Sequence, residues 1–361
     1  MRISVVIVSY NARYFLEQCL HSVERALQNT DGEIIVVDNA SPEKPVEAIR
    51  VKFPKVRFVE SKENLGFGRA NNLGVNLAKG DYVLILNPDT LIPENLFEEI
   101  IDFADSKSDL GALGIRLIDA NGRFHPESKR NVPSLRNTFG KLFGTLFSSK
   151  SANSYYKTEV GEFEVAPAEI LVGAFMLLRK DVYQKVGGFD SRYFMYGEDI
   201  DLSYTLVLNG YTNYYYGAIS AIHYKGESTR KDKKYLKIFF EAMEIFVDKY
   251  YRKNFFQYCI FKIGLKVRTA LALLKGSFKE GDVKVRKEID LSQLVKIKSI
   301  KDIKENSAQY LLDGNIFSDR EMIELISQHA KPQREFFIHP KNMNVVIGDT
   351  GISVLSDPLQ V

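Results

Sequence analysis

The chain of 361 residues contains no tryptophan and only two cysteines, Cys19 and Cys259, far apart and in apolar surroundings. That excludes a disulfide framework or a cysteine-built metal cluster, and it fits a reducing, cytoplasmic setting. Long hydrophobic runs are missing as well. The opening run Val5-Val6-Ile7-Val8 is too short for the apolar core of a secretion signal and has no small-residue cleavage site behind it. No stretch of about 20 uncharged apolar residues occurs, so no membrane-spanning helix is expected. Internal repeats and low-complexity tracts are lacking too. What remains is an ordinary globular mix, with 45% hydrophobic and 26% charged residues, long enough for one large domain and a smaller appendage.

Excess charge is also missing overall, since the net value is only +3. The distribution is uneven, however. From Lys225 to Glu305 there are 21 Lys and Arg against 11 Asp and Glu, a balance of +10, which leaves −7 for the rest of the chain. A basic stretch of this kind suits an anionic surface, either lipid headgroups or nucleic acid.

The apolar pattern predicts buried strands over 3–9, 33–38, 56–60 and 82–86, with helices over 14–27 (capped by Asn11) and 69–79 between them. Each strand is apolar on both faces, which predicts an α/β fold with a mostly parallel sheet covered by helices on both sides. Polar residues gather where strands end, at Tyr10-Asn11, Asp38-Asn39 and Asn87-Pro88-Asp89. Ligands of open α/β sheets bind outside the carboxyl ends of strands, so these groups should meet in one crevice. Weak periodicity over 122–168 reads as loops and short helices above that crevice. A buried strand or two is expected over 169–178, a short helix opened by Asp181, a helix over 199–209 and a strand over 211–222. Helices follow over 235–275, then a polar, basic linker over 276–305. A helix near 318–329 and strand-like runs at 334–338 and 344–347 complete the chain.

Five segments occur in one order: SVVIVSYN at 4–11, EIIVVDNAS at 33–41, NLGFGRANNLG at 64–74, GDYVLILNPDT at 80–90 and GGFDSRYFMYGEDIDLSYTLVLNGY at 187–211. Together they resemble glycosyltransferase family 2, in its bacterial rhamnosyltransferase-like branch, over about residues 1–225. The resemblance implies a GT-A type catalytic domain over 1–225. It also implies an inverting transfer from a nucleotide sugar, assisted by Mg or Mn, to a hydroxyl of a glycan or lipid-linked acceptor in cell-surface polysaccharide synthesis. Deoxythymidine diphosphate-rhamnose is the donor typical of the branch.

The residues carry this chemistry as follows. Asp38 ends a buried strand, where a carboxylate can accept a hydrogen bond from a pyrimidine N–H or a ribose hydroxyl; the plainer reading is turn chemistry. Ser9, Tyr10 and Asn11 line the neighbouring strand end. Arg69 opens a helix after a glycine-rich turn, where a guanidinium suits phosphate or simply faces solvent. Asn71 and Asn72 follow it, fit to orient sugar or base. Asn87-Pro88-Asp89 stands where the family has its DXD motif, with Asn in place of the first Asp. Asn87 can still bind a ribose hydroxyl, and Asp89 is the hard oxygen ligand for a metal on the diphosphate; a type I turn is the alternative. His223 stands where family members often carry a histidine that joins the metal, and Lys225, Ser228, Thr229 and Arg230 behind it suit a diphosphate. Phe194-Met195-Tyr196-Gly197 precedes Glu198-Asp199-Ile200-Asp201. An apolar turn there would raise a carboxylate pKa, while acidic residues at a helix start also complement its dipole. By resemblance Asp199 is the general base; Glu198 suits orientation of the acceptor and Asp201 suits a cap. Phe67, Phe175 and Phe194 are candidates for the apolar patch a deoxysugar needs near C6.

Residues 226–275 read as helices. Within them 255–275 is too charged to span a bilayer, and it fits either an interfacial helix or one packed on the catalytic domain with snorkelling lysines. The first reading places the protein peripherally on an anionic membrane, at the inner face of the plasma membrane. Residues 306–361 read as a small α/β appendage of unassigned role. A nucleotidyltransferase would want a glycine-rich loop after the first strand, where Ser9-Tyr10-Asn11-Ala12-Arg13 stands instead. A non-catalytic carbohydrate-binding protein has no need of Glu198 and Asp199. Nucleic-acid binding accounts for the basic half but not for the acidic crevice, so no nucleic-acid partner is expected.

Overall fold

The computed structural model describes residues 1–133, 155–224, 233–274, 289–303, 308–349 and 351–355. The larger unit runs β1 (Ile3–Ser9), α1 (Arg13–Ala26), β2 (Gly32–Asp38), α2 (Pro45–Ile49), β3 (Arg57–Glu60), α3 (Phe67–Leu77), β4 (Tyr82–Leu86), β5 (Thr90–Leu91), α4 (Leu96–Asp105) and β6 (Leu110–Ile118). Then come β7 (Val165–Pro167), β8 (Phe175–Arg179), α5 (Lys180–Lys185), α6 (Glu198–Leu208) and β9 (Thr212–His223). The sheet order is β3-β2-β1-β4-β8-β6-β9-β5, with β7 on β9. Strands β3, β2, β1 and β4 are mutually parallel, and antiparallel pairing begins at β8.

Alternation along β1 shows why the strand is apolar throughout. Ile3, Val5 and Ile7 enter one core with α1 and α4, while Val6 and Val8 enter another with α3, α5 and α6. Ser9 pairs with Asp38 and Ile7 with Leu86, so the parallel register brings the carboxyl ends of β2, β1 and β4 together.

One local expectation fails for a physical reason. Asn11 does not cap α1: its backbone is left-handed (φ 52°) and its Oδ1 accepts from the Glu43 N–H at 3.2 Å, so Ala12 stands at the cap position. The apolar stretch 169–178 yields one buried strand, over 175–179, because Leu171 and Gly173 before it donate backbone hydrogen bonds to α6 instead.

Beyond the sheet lie α7 (Lys233–Tyr250) and α8 (Phe255–Leu274), a helix pair packed through Phe240, Val247, Phe261 and Leu265. Helix α7 is tied to α6 at Asp201, which accepts from Lys249 Nζ at 2.7 Å and from the Tyr250 hydroxyl at 2.9 Å. A second sheet, β10 (Val295–Ile297), β11 (Gln309–Asp313), β12 (Glu335–His339), β13 (Val345–Gly348) and β14 (Gly351–Val354), runs in sequence order with α9 (Asp319–Gln328) against it. Its edge strand β10 lies inside the stretch read as linker and pairs in parallel with β11. This unit is joined to the larger sheet by one continuous core, in which Phe15, Leu91, Ile118, Ile222 and Tyr224 meet Tyr310, Met322 and Ile326. The Arg25 guanidinium donates to Asp319 at 2.8 Å across the junction.

Candidate active site

At the ends of β1 and β2, Asp38 is buried, and its Oδ2 accepts the Ser41 N–H at 3.1 Å. Its Oδ1 and the Ser9 hydroxyl are buried with no partner. Buried polar atoms left unpaired are costly, and these two lie beside the exposed Tyr10. Asn39 continues the wall: its amide donates to the Gly66 carbonyl at 3.2 Å and its Oδ1 accepts the Leu65 N–H at 2.8 Å. The glycine-rich turn is thus fixed to the end of β2. Gly66 has φ 78°, and a Cβ there would stand 2.0 Å from the Phe194 carbonyl oxygen, so only glycine lets the two loops meet. Arg69, in the first turn of α3, is exposed and donates through Nε to the Leu65 carbonyl at 2.8 Å.

The second group sits after β4. Asp89 is buried, and its Oδ1 lies 3.3 Å from His223 Nε2, which is also 3.2 Å from Asn87 Nδ2. A histidine 136 residues away from Asn87 reaches it because Thr90 of β5 pairs with His223 of β9. Burial is the largest influence and would raise the Asp89 carboxyl, but the His223 imidazole, a backbone hydrogen bond and His125 together hold it below the usual carboxylate range. Cys19 lies under this turn against Thr90, its thiol pushed up to about 12 by burial, and so inert. One hard oxygen and one imidazole suit a divalent metal. Among the described residues no third His, Cys, Asp or Glu completes a cluster, so such an ion would need ligand oxygens as well.

The third group opens α6. Tyr196 (φ 69°) and Gly197 (φ 82°) turn the chain in two left-handed steps, and the acids follow at once. Asp199 Oδ2 accepts from Arg130 Nη2 at 2.7 Å and from the Gly173 N–H at 3.1 Å, and Oδ1 accepts the Ile200 N–H at 2.8 Å. Glu198 is buried, its Oε2 has no partner, and burial, with the Asp199 charge next to it, pushes its carboxyl well above the usual range. Asp201 points away to Lys249, Tyr250 and Tyr193 and serves the helix junction.

Backbone bonds join the three groups. The Asn87 N–H donates to the Ala174 carbonyl at 3.0 Å while the adjacent Gly173 holds Asp199, and the Phe67 N–H donates to the Phe194 carbonyl at 2.9 Å. Some expected participants are elsewhere. Phe175 is fully buried in β8, and Asn72 is spent on Phe189 and Tyr183. Lys225, Ser228, Thr229 and Arg230 lie outside the described residues. Arg130 went unread, since it sits in the aperiodic 122–168 stretch and meets Asp199 only through a contact 69 residues long.

Residues 4–187 match the family described as Glycosyl transferase family 2. The chain is 31% identical over 240 residues to an N-acetylglucosaminyl-diphospho-decaprenol L-rhamnosyltransferase of Mycobacterium tuberculosis, covering 63% of this chain and 78% of that one. It is 29% identical over 237 residues to the rhamnosyltransferase WbbL of Escherichia coli K12, covering 63% and 84%. Among solved structures, Staphylococcus aureus TarS 1–349 in complex with UDP is similar at TM-score 0.46 and 18% identity, covering 68% of this chain and 64% of that one. With about half of its length matched and the matching motifs drawn together at one end of the sheet, the chain belongs to glycosyl transferase family 2 and is a glycosyltransferase of the rhamnosyltransferase-like branch.

Proposed function

We propose that the chain is an inverting glycosyltransferase moving a sugar, rhamnose from deoxythymidine diphosphate-rhamnose, to a hydroxyl of a lipid-linked glycan. The observation that carries this reading is the short 173–174 bridge, hydrogen-bonded on one side to Asn87 and on the other to Asp199. It sets a diphosphate-type motif beside a fixed carboxylate, as a single displacement requires. The choice of sugar and acceptor leans on the two relatives, one named as an L-rhamnosyltransferase of N-acetylglucosaminyl-diphospho-decaprenol and one as a rhamnosyltransferase.

In this reading Asp38 and Ser9 offer their unpartnered oxygens to the nucleoside, with Tyr10 beside the base and Asn11 shaping the wall. Arg69 flanks the diphosphate, and Asn87 takes a ribose hydroxyl. A divalent metal, Mg or Mn, held by Asp89 and His223 would supply positive charge to the departing diphosphate. Asp199 takes the acceptor proton as the acceptor oxygen bonds to the anomeric carbon and the bond to the diphosphate breaks. Arg130 and the Gly173 N–H fix the orientation of that carboxylate, and Glu198 orients the acceptor. A panel of nucleotide sugars, with and without Mn2+, tests the reading through donor hydrolysis and thermal protection. Deoxythymidine diphosphate-rhamnose should be consumed and should protect best, with a gain from metal; a chain that neither binds nor consumes any member of the panel refutes it.

A further inference from the structure

Among the described residues, helix α8 presents two apolar faces and only one is covered. Phe261 and Leu265 are buried against Phe240 and Val247 of α7, and the Tyr251 and Phe261 rings lie 4.6 Å apart. On the same side Lys262 is paired with Asp248 at 3.2 Å and with Glu244 at 3.6 Å. Lys262 is therefore committed to α7 rather than sharing an outer face with Lys266. Opposite this seam, Phe256, Ile263 and Val267 follow the i, i+7, i+11 spacing of one helical stripe and are 75%, 63% and 44% exposed. Phe255, at the helix start, is 78% exposed. No other helix leaves so much apolar side chain in water among the described residues.

We propose that this stripe of α8 seats in the headgroup layer of an anionic bilayer. Charge selects that occupant. The helix contains no Asp or Glu, exposed Lys266 and Arg268 flank the stripe, and exposed Arg252 and Lys253 precede it. An apolar stripe edged by cations, on a helix not apolar enough to cross a membrane, is the pattern of an interfacial helix. A second effect follows from the packing. Helix α8 holds α7, and Lys249 and Tyr250 of α7 hold Asp201, two residues beyond Asp199. Seating α8 on a membrane fixes the acidic helix relative to the surface from which a lipid-linked hydroxyl is presented. That purpose rests on the proposed acceptor; the contact itself does not.

The test uses the full chain, without donor or acceptor, in sedimentation with phosphatidylglycerol-containing vesicles and with pure phosphatidylcholine vesicles. Binding should require the anionic lipid and weaken at high salt. The double variant Phe255→Ser/Phe256→Ser, changed at exposed positions, should bind about tenfold more weakly with unaltered melting temperature and nucleotide-diphosphate binding. Lys266→Glu should weaken binding to the anionic vesicles alone. Undiminished binding by the double variant, or equal binding to both vesicle types, overturns the proposal. So does absence of vesicle binding with a dimer, seen by light scattering, that the double variant abolishes, since a second copy would then cover the face. Nucleotide-sugar turnover does not enter these readouts, so failure here leaves the proposed transfer standing, and failure of transfer leaves this contact standing.

Discussion

The Asp89 turn and the start of α6 are both buried, acidic and left-handed or tightly turned, yet they treat charge in opposite ways. At Asp89 an imidazole stands 3.3 Å from the carboxylate and the ionised form is favoured despite burial. At Glu198 one carboxylate oxygen has no partner, the neighbouring residue is a second acid, and the protonated form is favoured. Next to Glu198 stands Asp199, only partly buried and matched by Arg130. Burial alone decides nothing; the partner does. The carboxylate with a close imidazole keeps its charge, and the one with an open oxygen keeps its proton.

The largest effect expected is that of Asp199→Asn, which should lower transfer by about 10²–10⁴-fold, the usual value of a positioned base, with nucleotide binding retained. A helix-start charge alone would contribute only about 0.3–1 kcal/mol to stability. The Arg130 pair raises that expectation: Asn still offers one acceptor, so the loss should exceed that figure but stay below the about 3–5 kcal/mol of a buried pair broken outright. Thermal melts beside single-turnover transfer measure both. Asp201→Asn is the control, expected to loosen α7 and keep transfer. Near-normal transfer by the first variant and none by the second would move the base to Asp201.

Second in size is Asp89→Ala. A hydrogen-bonded charge is worth about 1.5–3 kcal/mol, so nucleotide-diphosphate affinity should fall by roughly tenfold to a hundredfold, and the gain from Mn2+ should vanish. Titration with the nucleoside diphosphate at several metal concentrations reads this directly. Full metal-dependent affinity in the variant would mean that the Asp89–His223 pair is a structural contact, and the contrast with Glu198 would lose one side.

The parallel half of the fold was readable because its causes are local. Strands buried on both faces are apolar at every position, and Asp38, Asn87 and Asp89 stand where such strands stop, so their convergence follows from register. The rest depended on distant pairing. The family resemblance put His223 in view, but its meeting with Asp89 needs the β5–β9 pairing, and Arg130 gave no periodic signal at all. The reading of Asn11 as a cap failed because a loop two elements later competes for its side chain. In β10, a three-residue strand in a polar stretch, the pattern is too short to register.

The smallest effect is the most discriminating. The Glu198 carboxyl is raised in the folded protein, so the folded state holds its proton more tightly than the unfolded chain does. Stability from that proton is present below the unfolded carboxylate pKa and is lost as pH rises through the folded value. Glu198→Gln removes the titration and keeps the shape. Its melting temperature should match that of the parent in acid and exceed it by a few degrees above neutrality, at about 2–4 °C per kcal/mol for a large domain. The dipole at the start of α6 favours the carboxylate by only about 0.3–1 kcal/mol, which trims the gain without reversing it. Asp89→Asn should show the opposite sign, because a lowered carboxyl stabilises the fold above the unfolded pKa and stops doing so as pH falls. Melting curves of the three proteins across pH measure both signs at once. Parallel curves for parent and Glu198→Gln would mean that the open Glu198 oxygen finds a partner in solution, and the two acidic centres would then differ only in what they touch.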